Sequence, residues 1–208
     1  MPHASAPHAQ ATYQVRLDWG LDGLRRLAPA DVVVIVQTLG LSSDALAAIE
    51  TGETLAVEGL SAESLVRAAA EGGTHVVVGG IRNAAAVAEH ILGVQRARAA
   101  RTSVALIAVG YPGDTDAAAL RFAVDDLLGA GAVIAALGDL GIDHASPDAA
   151  VAGEGYRALR GATRHLLSAS GTGRALADAG RSRVVRDAAA RDAASVVPVL
   201  VDAILRAA

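Results

Sequence analysis

The chain contains no cysteine, and every one of its 18 Lys-plus-Arg positions is an arginine. Without cysteine there is no disulfide framework, no thiolate zinc site and no sulfur nucleophile, a usage that suits a reducing cytoplasm. Without lysine there is no Schiff-base chemistry and no Gly-Lys-Ser/Thr nucleotide loop, so any phosphate would have to be held by arginine. Aromatics make up only 2% of the residues, one Trp, one Phe and three Tyr. So few rings, with a net charge of −4, exclude base stacking and electrostatic capture as a basis for binding nucleic acid or an anionic membrane. The longest apolar run, Leu127 to Leu140, is broken by glycines and falls short of the ~20 residues of a membrane span. Met1 to Ala11 has no apolar stretch before a cleavage site, so it reads as a flexible tail rather than a secretory signal.

What is abundant is aliphatic: the 208 residues are 52% hydrophobic, enough to bury a full core in a single domain over residues 12–208. The central stretch is Asp31-Val-Val-Val-Ile-Val-Gln37-Thr-Leu-Gly40-Leu-Ser-Ser43-Asp44. A β-branched run from Val32 to Val36 fits a strand covered on both faces, followed by a Gly-Ser loop and a helix through Ala45, Leu46 and Ile49. Before it come an alternating strand, Tyr13 to Trp19, and a short helix, Leu21 to Leu27. After it come a weak strand at Thr54 to Val57, a helix from Ser61 towards Gly72, a buried strand at His75 to Val78 and a long helix from Asn83 to about Ala100. Ser103 to Val109 is a third buried strand, and the loop Gly110 to Asp116 leads into a helix. Its apolar stripe is Leu120, Val124, Leu127, Gly131 and Ile134, with Gly131 permitting close approach. From Ser146 onward the pattern is helical, roughly Asp148 to Ser168, Thr172 to Ala179, Arg183 to Ala193 and a last piece after Pro198. Alternating strands and helices imply an α/β fold, a three-layer α/β/α arrangement with a mainly parallel sheet and a helical C-terminal part. Ala-rich helical surface fits self-association into a homo-oligomer.

Several groups have the residue types of a site, and each also has a plainer reading. Gly40 with Ser42 and Ser43 lies at a strand's carboxyl end, where helix N-termini offer N–H groups to anions. Gly79-Gly80-Ile81-Arg82-Asn83 adds a guanidinium to the same kind of turn, and reads equally as an ordinary turn with an Asn cap. Asp125 and Asp126 could bind Mg²⁺ or act as acid and base, yet acidic neighbours on a helix face are commonly solvated, and Arg121 lies four residues before Asp125. Ser170-Gly-Thr-Gly173-Arg174 follows no strand, so it reads as a helix stop with a Thr172 cap. Asp143-His144, near Asp139 and Asp148, falls in a loop without ligand spacing, and His75, His90 and His165 complete no metal motif. A dinucleotide-binding domain is disfavoured for want of spaced glycines and an acid ~20 residues on.

Taken in order, Val15-Arg-Leu-Asp-Trp-Gly20, Asp31 to Val36, Arg82-Asn-Ala-Ala-Ala-Val-Ala88, Asp125-Asp-Leu-Leu-Gly-Ala-Gly-Ala132, Ser146-Pro-Asp-Ala149, Ser170-Gly171, and Asp192 with Val196-Val-Pro198 resemble the 2-phosphosulfolactate phosphatase family, in its actinobacterial form. The resemblance implies an α/β/α fold and a Mg²⁺-dependent hydrolase that removes phosphate from phosphosulfolactate, on a route to coenzyme M. Carried onto this chain, it places Ser42, Ser43, Asp125 and Asp126 in catalysis, Arg82, Asn83 and Gly40 around a small phosphorylated anion, and Asp126 on the metal. The chain departs from the family where Gln37 stands in place of a strand-end aspartate, where Val57-Glu-Gly-Leu-Ser61 replaces an Asn-Gly-Ser/Thr loop, and where Tyr111-Pro112 replaces a Glu-Arg pair. These departures predict weak or lost activity, or a non-catalytic anion-binding or partner subunit on the same fold.

Overall fold

A computed structural model describes residues 6–112 and 120–208. In chain order the elements are β1 (Val15–Trp19), α1 (Gly20–Arg26), β2 (Val32–Val36), α2 (Leu41–Glu50), β3 (Leu55–Ala56), α3 (Glu63–Ala69), β4 (His75–Val78), α4 (Ala84–Arg98), β5 (Val104–Ala108), β6 (Tyr111–Pro112) and β7 (Leu120–Arg121). They continue as α5 (Val124–Asp139), α6 (Pro147–Leu159), α7 (Thr163–Ala169), α8 (Gly171–Asp178), α9 (Ser182–Ala188), β8 (Pro198–Val201) and β9 (Ile204–Ala207). The main sheet has the order β1-β5-β2-β4-β8-β9-β3. Its first four strands are parallel, and β8, β9 and β3 extend it antiparallel.

The β-branched run of β2 is what a strand needs when helices cover both of its faces. Val33 and Ile35 point to the face covered by α1, α2 and α3, where Leu41, Ala45, Ile49, Leu65 and Val66 meet them. Val32, Val34 and Val36 point to the opposite face, against Val87, Ile91, Leu128, Ala132 and Val133 of α4 and α5. Each such side chain removed from water contributes about 1.5–3 kcal/mol, and together they fix the register Val34↔Leu106 and Val34↔Val77. The layers are therefore α/β/α, as the alternation of the sequence predicts.

Strand β2 sends its chain to α2 on one face, whereas its neighbour β5 sends the chain, through the β6–β7 hairpin, to α5 on the other. The carboxyl ends of β2 and β5 thus part at a switch in connection direction, the place where open α/β sheets hold ligands.

Four local expectations change. The piece after Pro198 is the hairpin β8–β9, turned by Asp202 and Ala203 at positive φ; Val196-Val-Pro-Val-Leu-Val201 is β-branched chain that pairs with β4 rather than coiling. The helix expected from Leu120 begins at Val124, and Leu120 and Arg121 pair with Pro112 and Tyr111 as a two-stranded ribbon. Residues 7–11, read as tail, are tied down: Ala9 is buried, Ala28 N–H donates to its carbonyl, and the Gln10 side chain exchanges hydrogen bonds with the backbone of Leu17. Thr172 is not the cap of α8, because Ser170 accepts the Gly173 N–H at 3.0 Å. Residues 1–5 of the expected tail and most of the expected loop after Gly110 lie outside the described residues. No described helix is long and apolar enough to cross a membrane.

Candidate functional site

At the end of β2 the polar groups are used in holding the turn. Gln37 Oε1 accepts the Leu41 N–H at 3.0 Å, which caps α2 with a side-chain amide. Gly40 fits because a Cβ there would lie 2.6 Å from that same Oε1. Ser42 Oγ accepts the Gln37 N–H at 3.1 Å and donates to the Gly79 carbonyl at 2.7 Å, joining the ends of β2 and β4. Ser43 donates to the Thr38 carbonyl. Asn83, fully buried, accepts the Gly80 N–H and donates to the Val78 and Val196 carbonyls. Arg82 reaches Glu50 Oε2 at 2.7 Å, while its buried Nε has no partner among the described residues. Ser42, Ser43 and Arg82 do share a crevice with Thr38 and Gly80, but its volume of ≈ 10 Å³ holds at most about one water. Apart from the Arg82 Nε, the donors gathered there, the hydroxyls of Thr38, Ser42 and Ser43, are already engaged with the chain.

The aspartate pair is not on a solvated helix face. Asp125 is 3% exposed and Asp126 1%, because α5 is covered nearly all round: Leu128, Gly129 and Ala132 are buried along with the acids, whereas Val124 and Leu127 of the expected stripe are only partly so. Asp126 accepts the Thr38 N–H at 2.8 Å and the Gly110 N–H at 2.9 Å, so one carboxylate clamps the ends of β2 and β5. Burial pushes its pKa well above the ordinary carboxylate value, and the neighbouring Asp125 raises it further. Thr38 Oγ1 donates to the Asp125 carbonyl at 2.8 Å. Asp125 Oδ2 in turn accepts a hydrogen bond from Thr172 at 2.8 Å, and burial raises the Asp125 pKa as well.

Two larger depressions open on this edge and share Tyr111. One, of ≈ 280 Å³, is lined by Tyr111, Arg121, Phe122, Asp125, Gly171 and Thr172. It brings together a guanidinium, a carboxyl group with a raised pKa and the first turn of α8. Ser170 takes the Gly173 N–H there, and the N–H groups of Gly171 and Thr172 make no hydrogen bond among the described residues. A helix start with open N–H groups beside an arginine is a ready site for a phosphate. The other depression, of ≈ 470 Å³, lies over the ends of β1 and β5 and includes Trp19, Asp22, Gln37, Ser61 and Leu120.

Of the residues picked from sequence, Asp125 therefore lines an open pocket. Asp126, Ser42, Ser43, Gly40 and Asn83 hold the frame around it. Sequence reasoning missed Arg121, Tyr111, Gly171 and Thr172. A signal existed in Ser170-Gly-Thr-Gly173, whose small residues are those of a helix start approached by an anion, although no strand precedes it. Asp143-His144 is structural: the His144 ring nitrogen meets Arg101, and its carbonyl accepts the N–H groups of Gln14 and Val15.

The fit of a Mg²⁺ ion can be tested on the donors. Both Asp126 oxygens already face backbone N–H groups, and Gln37 is a neutral amide turned onto α2. Mg²⁺ demands near-octahedral oxygen ligands and keeps much of its water, which a sealed, twice hydrogen-bonded carboxylate does not accommodate. Among the described residues no group of three or more His, Asp or Glu side chains is placed to hold a metal. Asp126 does not fit the ion.

The family model described as 2-phosphosulpholactate phosphatase matches residues 31–203. No curated protein matches the chain.

Proposed function

The chain belongs to the 2-phosphosulpholactate phosphatase family, and from that premise we propose that it hydrolyses a small phosphate monoester in the pocket formed by Arg121, Asp125 and the first turn of α8. The observation that carries this reading is the meeting of a cation, open helix N–H groups and a raised-pKa acid in one depression. Phosphate oxygens accept hydrogen bonds from the Gly171 and Thr172 N–H groups, and Arg121 balances their charge. Water forms the new P–O bond and passes its proton to a phosphate oxygen. The P–O bond to the organic part breaks as protonated Asp125 gives its proton to the leaving oxygen, so that an alcohol and inorganic phosphate result. Thr38, held by Asp126, and Thr172 position Asp125 from its carbonyl and its carboxyl oxygen. Ser42, Ser43, Gly40, Arg82 and Asn83 act at one remove, by fixing the strand ends. No step runs through Mg²⁺, since its expected ligand Asp126 is turned to the backbone.

The engaged state of Gln37, Ser42, Ser43 and Asn83 favours a second reading, a non-catalytic anion-binding member of the family. Phosphate release from 2-phosphosulfolactate, measured first in EDTA and then with added Mg²⁺, separates the two. The proposal expects release in EDTA that declines as pH rises and Asp125 loses its proton. No release in either condition, from folded protein, leaves the non-catalytic reading. Release that requires Mg²⁺ keeps the hydrolase and overturns Asp125 as the unaided proton donor.

A further inference from the structure

The larger depression is chemically unlike a phosphate pocket. Asp22 is the one charged side chain among the described residues that line it, and Asp22 is exposed, with no hydrogen bond or ion pair among the described residues. Among the described residues no arginine lines it: Arg26 is paired with Asp18 and Arg67 with Glu63. Arg121 follows Leu120 on β7, and the strand's alternation sends Leu120 to this depression and Arg121 to the other.

The rest of the wall is aromatic and aliphatic. The chain's single Trp and one of its three Tyr, Trp19 and Tyr111, both line the depression. Its single Phe, Phe122, stands 5.1 Å from Trp19 between ring centroids and is 58% exposed. Gly20, at φ +58°, lets Leu120 lie so close that a Cβ would come within 2.8 Å of its Cδ1. The ribbon β6–β7 is thus seated on the end of β1 and walls the depression. Gln37 and Ser61, hydrogen-bonded to each other, add neutral polar groups. Two of the chain's five rings, Trp19 and Tyr111, thus share a depression with a carboxylate that has no partner among the described residues, which are the features of a cation site: aromatic surface for a poorly hydrated ammonium, an acid for its charge, and ≈ 470 Å³ for its apolar body.

We propose that this depression binds a small organic cation, an ammonium group on an apolar or aromatic body, held by Trp19, Tyr111 and Asp22. The site shares Tyr111 with the phosphate pocket, but cation binding does not require hydrolysis at Arg121. Trp19, being the only tryptophan, reports occupancy by its fluorescence. The protein is titrated with phenyltrimethylammonium, with its neutral isostere tert-butylbenzene, and with phenyl phosphate. The expected result is a saturable change with the cation, binding about tenfold tighter than the isostere, with phenyl phosphate weaker than the cation. Asp22→Asn should weaken the cation about threefold to tenfold and leave the melting temperature unchanged. A cation no tighter than its isostere, tighter binding of phenyl phosphate, an unaffected Asp22→Asn variant, or no saturable change would each overturn the proposal. Phosphate release is a separate readout, so loss of the hydrolase reading leaves this result standing, and the reverse.

Discussion

Removing the Asp126 carboxylate should uncouple the two strand ends that it joins. In Asp126→Ala, the Thr38 and Gly110 N–H groups lose their acceptor in a region where the carboxylate itself is 1% exposed. A buried donor left unsatisfied costs about 1–3 kcal/mol, so the two together cost about 2–6 kcal/mol. The gain from no longer burying a carboxylate offsets part of this, and the offset depends on pH. The Asp126 pKa is raised in the folded state, so folded protein holds this proton more tightly than unfolded chain. That contribution is full below the unfolded pKa, near 3.9, and is lost as pH rises through the raised folded value. The stability gap between wild type and Asp126→Ala is therefore widest in acid and narrows towards alkaline pH. Urea unfolding followed by far-ultraviolet circular dichroism at pH 5 and pH 8 measures it. A gap below about 0.5 kcal/mol at both pH values, within the usual range of an inconsequential surface change, or a gap that widens with pH, would refute the reasoning.

Two further perturbations follow from the packing. Gly131→Ala would place a Cβ 2.3 Å from the Ala152 carbonyl oxygen and 2.9 Å from Tyr156 Cβ, so forcing α5 and α6 apart should cost about 1–3 kcal/mol or more; an unchanged urea midpoint would contradict the close approach. His75 and His90 face each other through Nε2 atoms at 2.8 Å, and burial lowers both pKa values. A lowered pKa means stability present above the ordinary value of 6.5 and lost as pH falls through the folded values. His90→Gln should flatten that acid loss, and thermal melts between pH 5 and 8 that keep the wild-type slope would count against it.

The sheet was legible because parallel strands under two helical layers are apolar at every position: Val32–Val36 and Val104–Ala108 have no other economical fold. The close approach at Gly131 was legible too, since a glycine in an apolar stripe has few other uses. The end of the chain was not, because Val196 to Val201 carries β-branched residues next to a proline, and its turn uses Asp202 and Ala203 in place of the Gly or Asn that usually marks a hairpin. At the site, Asp125 and Asp126 stood out by residue type, but taking Leu120, Val124 and Leu127 as the single apolar stripe gave them a solvent-facing phase, and extending the helix back to Leu120 made Arg121 an i, i+4 partner. The helix is instead buried nearly all round, which puts the acids inside, and Arg121, ahead of its start at Val124, falls on a strand. The Gly40-Ser42-Ser43 turn has the shape of an anion loop, and only the positions of Gln37 and Gly79 reveal that its donors are spent on the chain.

The central claim is that hydrolysis centres on Asp125 rather than on the end of β2. It is tested most directly by initial rates of phosphate release from 2-phosphosulfolactate for wild type, Asp125→Asn and Gln37→Asp under one set of conditions. The account predicts that Asp125→Asn, which keeps an acceptor for Thr172 but cannot give up a proton, loses about 10²–10⁴ in rate, and that Gln37→Asp stays at the wild-type rate. Near-wild-type turnover by Asp125→Asn, or a large gain from Gln37→Asp, would contradict it.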